Sequence, residues 1–209
     1  MNRKIISCAL LLFAGVVAGC GAARSSKFYQ LTIPGDVTPA PVPNPYPVTL
    51  VLGPVASSHL YREDHVAYSS DGQSMGVYEY QRWAEPPTEM IADVLLRELR
   101  MSGHYRAVYP SGSNVRGDYL LRGHLYDFKE VSGSGLVGRV TFELELREIK
   151  TGTIVWTHFY SHDEPAGRKD VSAVAAALDR NVQRGLAEFK TSLDNYFSTH
   201  PPIGSAAVQ

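Results

Sequence analysis

Arg139-Val140-Thr141-Phe142-Glu143-Leu144-Glu145-Leu146-Arg147 alternates between polar and apolar residues over its whole length. Successive side chains of a β-strand point to opposite faces of the sheet. The stretch therefore predicts a strand with Val140, Phe142, Leu144 and Leu146 toward a core and the charged residues toward water. Its neighbours extend the same sheet. Upstream, Tyr119, Leu121 and Leu125 fall on one face of Tyr119–Leu125, while Arg122 and His124 fall on the other. Downstream, Thr151-Gly152 makes a turn and Thr153–Ser161 runs back, giving a three-strand meander. From about Asp170 the period changes: Val174, Leu178, Val182, Leu186, Phe189, Leu193 and Phe197 recur at helical spacing. Gly185 is a place where that helix can bend, and His200-Pro201-Pro202 stops it.

The first half supplies further strands and one more helix. Phe28–Leu31 predicts a short strand, and Val48–Leu52 a buried one that ends at Gly53-Pro54. Between them Pro39, Pro41, Pro43, Pro45 and Pro47 alternate with other residues, which favours a stiff extended crossover. Leu60–Asp64 reads as a polar connection. His65–Ser69 and Gly76–Tyr80 flank Ser70-Asp71-Gly72, a hairpin signal. After Pro86-Pro87, the residues Ile91, Val94, Leu95 and Leu99 mark an amphipathic helix that ends at Ser102-Gly103. This order predicts a single α+β domain whose antiparallel or mixed sheet is covered on one face by two main helices. There is no internal repeat.

The N-terminus sets where the domain works. Arg3 and Lys4 precede an apolar run, Ile5–Val17, which has the length of a signal-peptide core and is too short for a membrane span of about 20 residues. The run ends in Val17-Ala18-Gly19-Cys20, which resembles a bacterial lipobox: an aliphatic residue and two small ones before a cysteine that is acylated and becomes the new N-terminus. Plain secretion would leave Cys20 as a lone thiol in an oxidising compartment, and acylation removes that difficulty. The domains expected are a lipoprotein signal peptide at 1–19, a lipidated tether at 20–27, a folded domain at 28–199 and a disordered tail at 200–209. A diacylglycerol with an additional acyl chain anchors such a protein durably, whereas one chain does not. Gly21 is not the aspartate that resembles an inner-membrane retention signal, so the expected location is the periplasmic face of the outer membrane.

Composition narrows the function classes. There are 20 Lys and Arg against 21 Asp and Glu, with no basic stripe of the kind that binds nucleic acid. The chain has two cysteines; Cys8 leaves with the signal and Cys20 is committed to lipid, so packing alone must hold the fold. Gly133-Ser134-Gly135-Leu136-Val137-Gly138 has the glycine spacing of a dinucleotide site, but it lies between two strands and opens no helix on which a pyrophosphate could rest. His158 and His162 lie about 13 Å apart along one strand, too far to share a metal ion. No histidine has a context that places it beside Ser69, Ser70 and Asp71, which are turn formers. The reading is non-enzymatic, with no catalytic residue, metal or cofactor.

Tyr78-Glu79-Tyr80-Gln81-Arg82-Trp83-Ala84-Glu85-Pro86, Ser102-Gly103, Asp118–Gly123, Thr151–Trp156 and Val174–Leu178 together resemble the ABC-type transport auxiliary lipoproteins, which include paraquat-inducible protein C. Leu60-Tyr61-Arg62 departs from the leucine-aspartate-arginine run more common in that family. The resemblance implies an outer-membrane component of a machine moving phospholipid or another hydrophobic solute. Its partners would be a mammalian-cell-entry (MCE) type periplasmic carrier and its ABC transporter, the membrane through the anchor, phospholipid as a ligand, and further copies of the chain. The runner-up is an assembly or structural lipoprotein bound to an outer-membrane barrel or an envelope polymer. Tyr78, Arg82, Trp83 and Glu85 are the candidate partner interface, since Trp and Arg suit interface hot spots. The alternative for Trp83 is a place in the core, with Arg82 and Glu85 paired or capping.

Overall fold

The computed structural model describes residues 24–33, 35, 42–133 and 135–202. The lipobox with Cys20, most of the proline-rich crossover and tail residues 203–209 lie outside the described residues.

The alternating stretch lies in a strand, Leu136–Glu148 (β7), whose Val140, Phe142, Leu144 and Leu146 are all at most 2% exposed. The strands before it are Lys27–Tyr29 (β1), Tyr46–Ser57 (β2), His65–Ser69 (β3), Gly76–Trp83 (β4), Tyr105–Tyr109 (β5) and Tyr119–Ser132 (β6); Ile154–Pro165 (β8) follows it. Among the described residues the helices are Pro87–Ser102 (α1) and Val171–Thr199 (α2), with one 3-10 turn at His59–Arg62. The whole is a single α+β domain on one mixed sheet of eight strands. β6 is its axis. Along one edge β6 pairs with β7 over its full length, and β7 pairs in turn with β8. The other edge is shared: the first half of β6 takes β2 in parallel, and the last residues take β3 in parallel. β5 extends the β2 flap, and β4 with β1 extends the β3 flap.

The two helices cover one face, α1 over β2 and β5, α2 over β6, β7 and β8. Proline at its first turn starts α1, and Gly103 in the left-handed region closes it. α2 starts on Asp170, whose carboxylate accepts the Ala173 N–H at 2.9 Å. All seven apolar positions expected of α2 are at most 1% exposed. A second set of contacts ties α2 to the sheet. Asn181, fully buried, donates its amide to the Gly138 carbonyl at 2.9 Å and the His162 carbonyl at 2.7 Å, and its own oxygen accepts the Tyr160 hydroxyl at 2.5 Å. Gly185 does not interrupt α2. A Cβ there would stand 2.8 Å from ring carbons of both Phe142 and Tyr160, so the glycine lets helix and sheet approach.

Several elements differ from the sequence expectation. β2 runs through Gly53-Pro54 to Ser57, with a register shift against β6 between Leu52 and Val55. Its pairing with β5 has ended at Val51, so the proline nitrogen sits where no ladder bond is required. β5 is a strand the sequence reading lacked. Leu60–Asp64 is not wholly polar, since Tyr61 is 3% exposed within the 3-10 turn.

Candidate functional site

β4 carries three of the four residues expected to meet a partner, and the structure gives them different roles. Trp83 is 1% exposed, with its ring against Phe128 at 5.0 Å and edge-on to Tyr29 at 6.1 Å. It has no face to offer, because the strand ends there beneath the start of α1. The interface expectation is corrected for Trp83, which belongs to the core. Arg82 points one guanidinium nitrogen at both Asp64 oxygens, at 2.8 and 3.0 Å, and its side chain keeps 30% exposure. Tyr78 donates its hydroxyl to Glu130, 3.0 Å from each oxygen, and its ring lies tilted against Tyr68 at 4.8 Å. Burial, then the charge of Glu130, pushes the Tyr78 hydroxyl up to about 12. Glu85 is exposed at the mouth of a pocket of about 140 Å³ floored by Leu31, Met90 and Val94.

Opposite the helices, the face of β6, β7 and β8 is open. The strand registers place Arg122, Glu145 and Thr157 in one row, His124, Glu143 and Phe159 in the next, and Lys129, Arg139 and Asp163 farther along. Tyr126 shares the parity of Arg122 and His124 and so lies on this face, and the register shift after Leu125 turns Asp127 and Lys129 to the same side. Its ring stacks on His124 at 4.3 Å and lies 6.4 Å from Phe159, while its hydroxyl donates to Glu143 at 2.9 Å. Phe159 is 62% exposed and Tyr126 46% exposed. Ion pairs frame these rings. Arg139 grips Asp163 with two bonds of 2.7 Å, which holds the carboxyl below its usual range, and Arg122 grips Glu145 at 2.5 and 3.0 Å. The result is an aromatic ridge inside a charged border, the layout of a protein-binding patch.

Sequence reading missed this ridge, although its signal was present. Phe159 shares parity with Thr157 and Ser161, so a large apolar ring stood at a water-facing position. The two strand histidines have separate surroundings. His158 lies parallel to the Trp156 ring at 5.8 Å and meets Phe189, whereas His162 contacts Arg184 and Glu164. Among the described residues there is no group of three or more His, Cys, Asp or Glu placed to hold a metal ion.

The sequence matches the ABC-type transport auxiliary lipoprotein component family over residues 29–188. The chain belongs to this family. That membership makes it an auxiliary lipoprotein of ABC transport systems, from a family that is generally non-enzymatic, anchored to a membrane in the periplasm. Its fold is similar to that of a Xanthomonas campestris protein, XCC0632, assigned to the family DUF330. The two share 21% identity at a TM-score of 0.71, over 83% of this chain and 99% of the other. A hypothetical protein of Chlamydia trachomatis, CT253, has a similar fold at 7% identity and a TM-score of 0.52, over 73% of this chain and 99% of its own. No curated protein matches the sequence. Tyr61 is buried, and its hydroxyl is pushed up to about 12 mainly by that burial.

Proposed function

We propose that this lipoprotein is the outer-membrane component of an ABC-driven system that moves phospholipid or another hydrophobic solute between membranes. Acyl chains on Cys20 hold it at the periplasmic face, and an MCE-type carrier docks on the folded domain. The observation that carries the docking role is the open sheet face with its exposed Tyr126–Phe159 ridge. A ring exposed in the middle of a charged face loses water when a partner covers it, and the bordering ion pairs fix the register of the contact. Of the four residues read from the sequence, Glu85 and the outer edge of Arg82 remain exposed.

A photo-crosslinking residue placed at Phe159 or Tyr126 in intact cells tests this, with Lys150 at the far turn as the control. The expected result is capture of an MCE-type carrier from the ridge and not from Lys150. Capture of an outer-membrane barrel alone, or equal capture from all three positions, would refute the reading and favour an assembly role.

A further inference from the structure

Four features converge on one end of the sheet. The β3–β4 turn, the β6–β7 turn, the loop from β8 into α2 and the entering N-terminal segment all lie there. Strand register fixes the placement: Gly76 pairs with Tyr68, Tyr68 with Glu130, Glu130 with Gly138, and Gly138 with Glu164, one row across five strands just inside the rim. The N-terminal segment runs toward this rim. Lys27 pairs with Gln81 and donates to Ser172 Oγ at 2.6 Å, beside the start of α2, and Arg24 lies over the ring of Tyr80.

Distances turn this into a constraint. Gln81 is five positions inboard of Gly76 on β4, or roughly 16 Å at about 3.3 Å per residue. Lys27 is seven positions after Cys20, a reach of at most about 25 Å. An acyl group on Cys20 can therefore stand no more than about 10 Å beyond the rim. The rim has the chemistry for that neighbour. Arg168 and Lys169 are exposed in the loop before α2, Arg24 and Lys27 are exposed on the entering segment, and Met75 and Val77 are 39% and 40% exposed at the β3–β4 turn. The carboxylates nearby are taken up locally: Asp71 accepts from the backbone N–H groups of Gln73 and Ser74 and from the Ser74 hydroxyl, and Asp170 caps α2 and meets Arg168 at 3.3 Å.

We propose that this rim is a second, non-covalent membrane contact, in which Arg168 and Lys169 engage the phosphates of anionic phospholipid while Met75 and Val77 enter the headgroup layer. The proposal rests on acylation of Cys20 as its anchor. It sets the strands upright on the bilayer, with the β7–β8 turn at Lys150 some 40 Å away at about 3.3 Å per residue. Cations beside an anionic surface add to an anchor within a screening length, and partly apolar turns add area.

The test uses the full mature protein in vesicles of phosphatidylethanolamine and phosphatidylglycerol at roughly three to one, a mixture that presents the anionic surface the cations require. A fluorophore sits at Gly135→Cys, Met75→Cys or Lys150→Cys, and headgroup-level spin-labelled lipid is the quencher. A Cβ at Gly135 meets nothing within 4 Å, so that label leaves the fold intact, and circular dichroism checks each variant. Quenching at Gly135 and Met75 is expected to exceed that at Lys150 at least about twofold, and to fall at least about twofold when phosphatidylcholine replaces phosphatidylglycerol or in R168Q/K169Q. Equal quenching at all three positions, or no response to either charge change, would overturn the proposal. Intact mass separates the two readings. If Cys20 carries no lipid, the anchor reading fails, and quenching of the unacylated protein at Gly135 then decides the rim contact by itself.

Discussion

Replacing Gly185 by alanine sets two effects of known size against each other. Alanine inside a helix is favoured over glycine by about 0.8–1.0 kcal/mol, so propensity alone predicts a more stable protein. The new methyl, however, would stand 2.8 Å from Phe142 Cζ and from Tyr160 Cε1, where carbon atoms prefer about 3.5–4.0 Å. Neither ring has room to retreat. Phe142 is 2% and Tyr160 5% exposed, their rings stack at 5.1 Å, and Asn181 holds the Tyr160 hydroxyl. Overpacking of this kind costs about 1–3 kcal/mol, and with both rings confined the upper half of that range applies. The net expectation is a loss of about 1–2 kcal/mol, a fall in Tm of roughly 2–8 °C for a domain of this size. Thermal unfolding followed by circular dichroism measures it. Phe142→Leu removes one of the opposing rings, so the same glycine substitution should cost less in that background, a coupling that a double-mutant cycle reads directly. An unchanged or raised Tm for G185A would refute the close-approach role and restore the sequence reading of Gly185 as a point of helix flexibility.

Asn181→Leu takes the amide donor from two sheet carbonyls and leaves the Tyr160 hydroxyl only the backbone carbonyl of residue 181; a loss of roughly 3 kcal/mol is expected, measured by urea unfolding. His158 has its proton affinity lowered, first by burial and against the opposing pull of Glu188, from the ordinary 6.5. The unfolded chain then binds more protons as acidity rises, so stability is full above about pH 6.5 and is lost as pH falls below it. His158→Phe should flatten that slope between about pH 7.5 and 5.5 in denaturant titrations, because the histidine that gains its proton more readily on unfolding is gone. A slope equal to that of the wild type would assign the pH dependence to the other histidines. The Arg82–Asp64 pair, with side chains 30% and 35% exposed, should cost only about 0.2–1 kcal/mol when Asp64 becomes asparagine, a result a double-mutant cycle would check.

Most of the fold was legible because burial follows period. The alternation of Arg139–Arg147 and the helical set Val174 to Phe197 each have one wet side and one dry side, and such patterns state their own geometry. β5 was not legible: Tyr105–Tyr109 is short, follows Gly103 closely and is held by parallel pairing to β2, a distant segment. The end of β2 was misplaced because Pro54 stops a strand only where a ladder bond is needed there. At the candidate site, Trp83 shows the limit of residue-type reasoning. Large aromatic rings serve cores and interfaces equally well, and only the packing of Phe128 and Tyr29 against it distinguishes the two. Tyr126 was missed because the expected strand stopped at Leu125, although its parity with Arg122 and His124 placed it on the open face.

The division of β6 between two flaps governs when the molecule can fold. β2 and β3 have no common partner until the chain reaches Tyr119–Ser132, and the segment at Lys27–Thr32 is tied to α2 through Ser172, Asp179 and Gln183, near the other end of the sequence. A chain delivered from its N-terminus therefore accumulates unpaired strand edges that close only when β6 arrives, and its first segment is secured only when its last helix arrives. Contacts so far apart in sequence slow folding and prolong exposure of those edges. The Lys27–Thr32 segment thus stays slack until α2 is in place, and only then is it tied down through Ser172, Asp179 and Gln183.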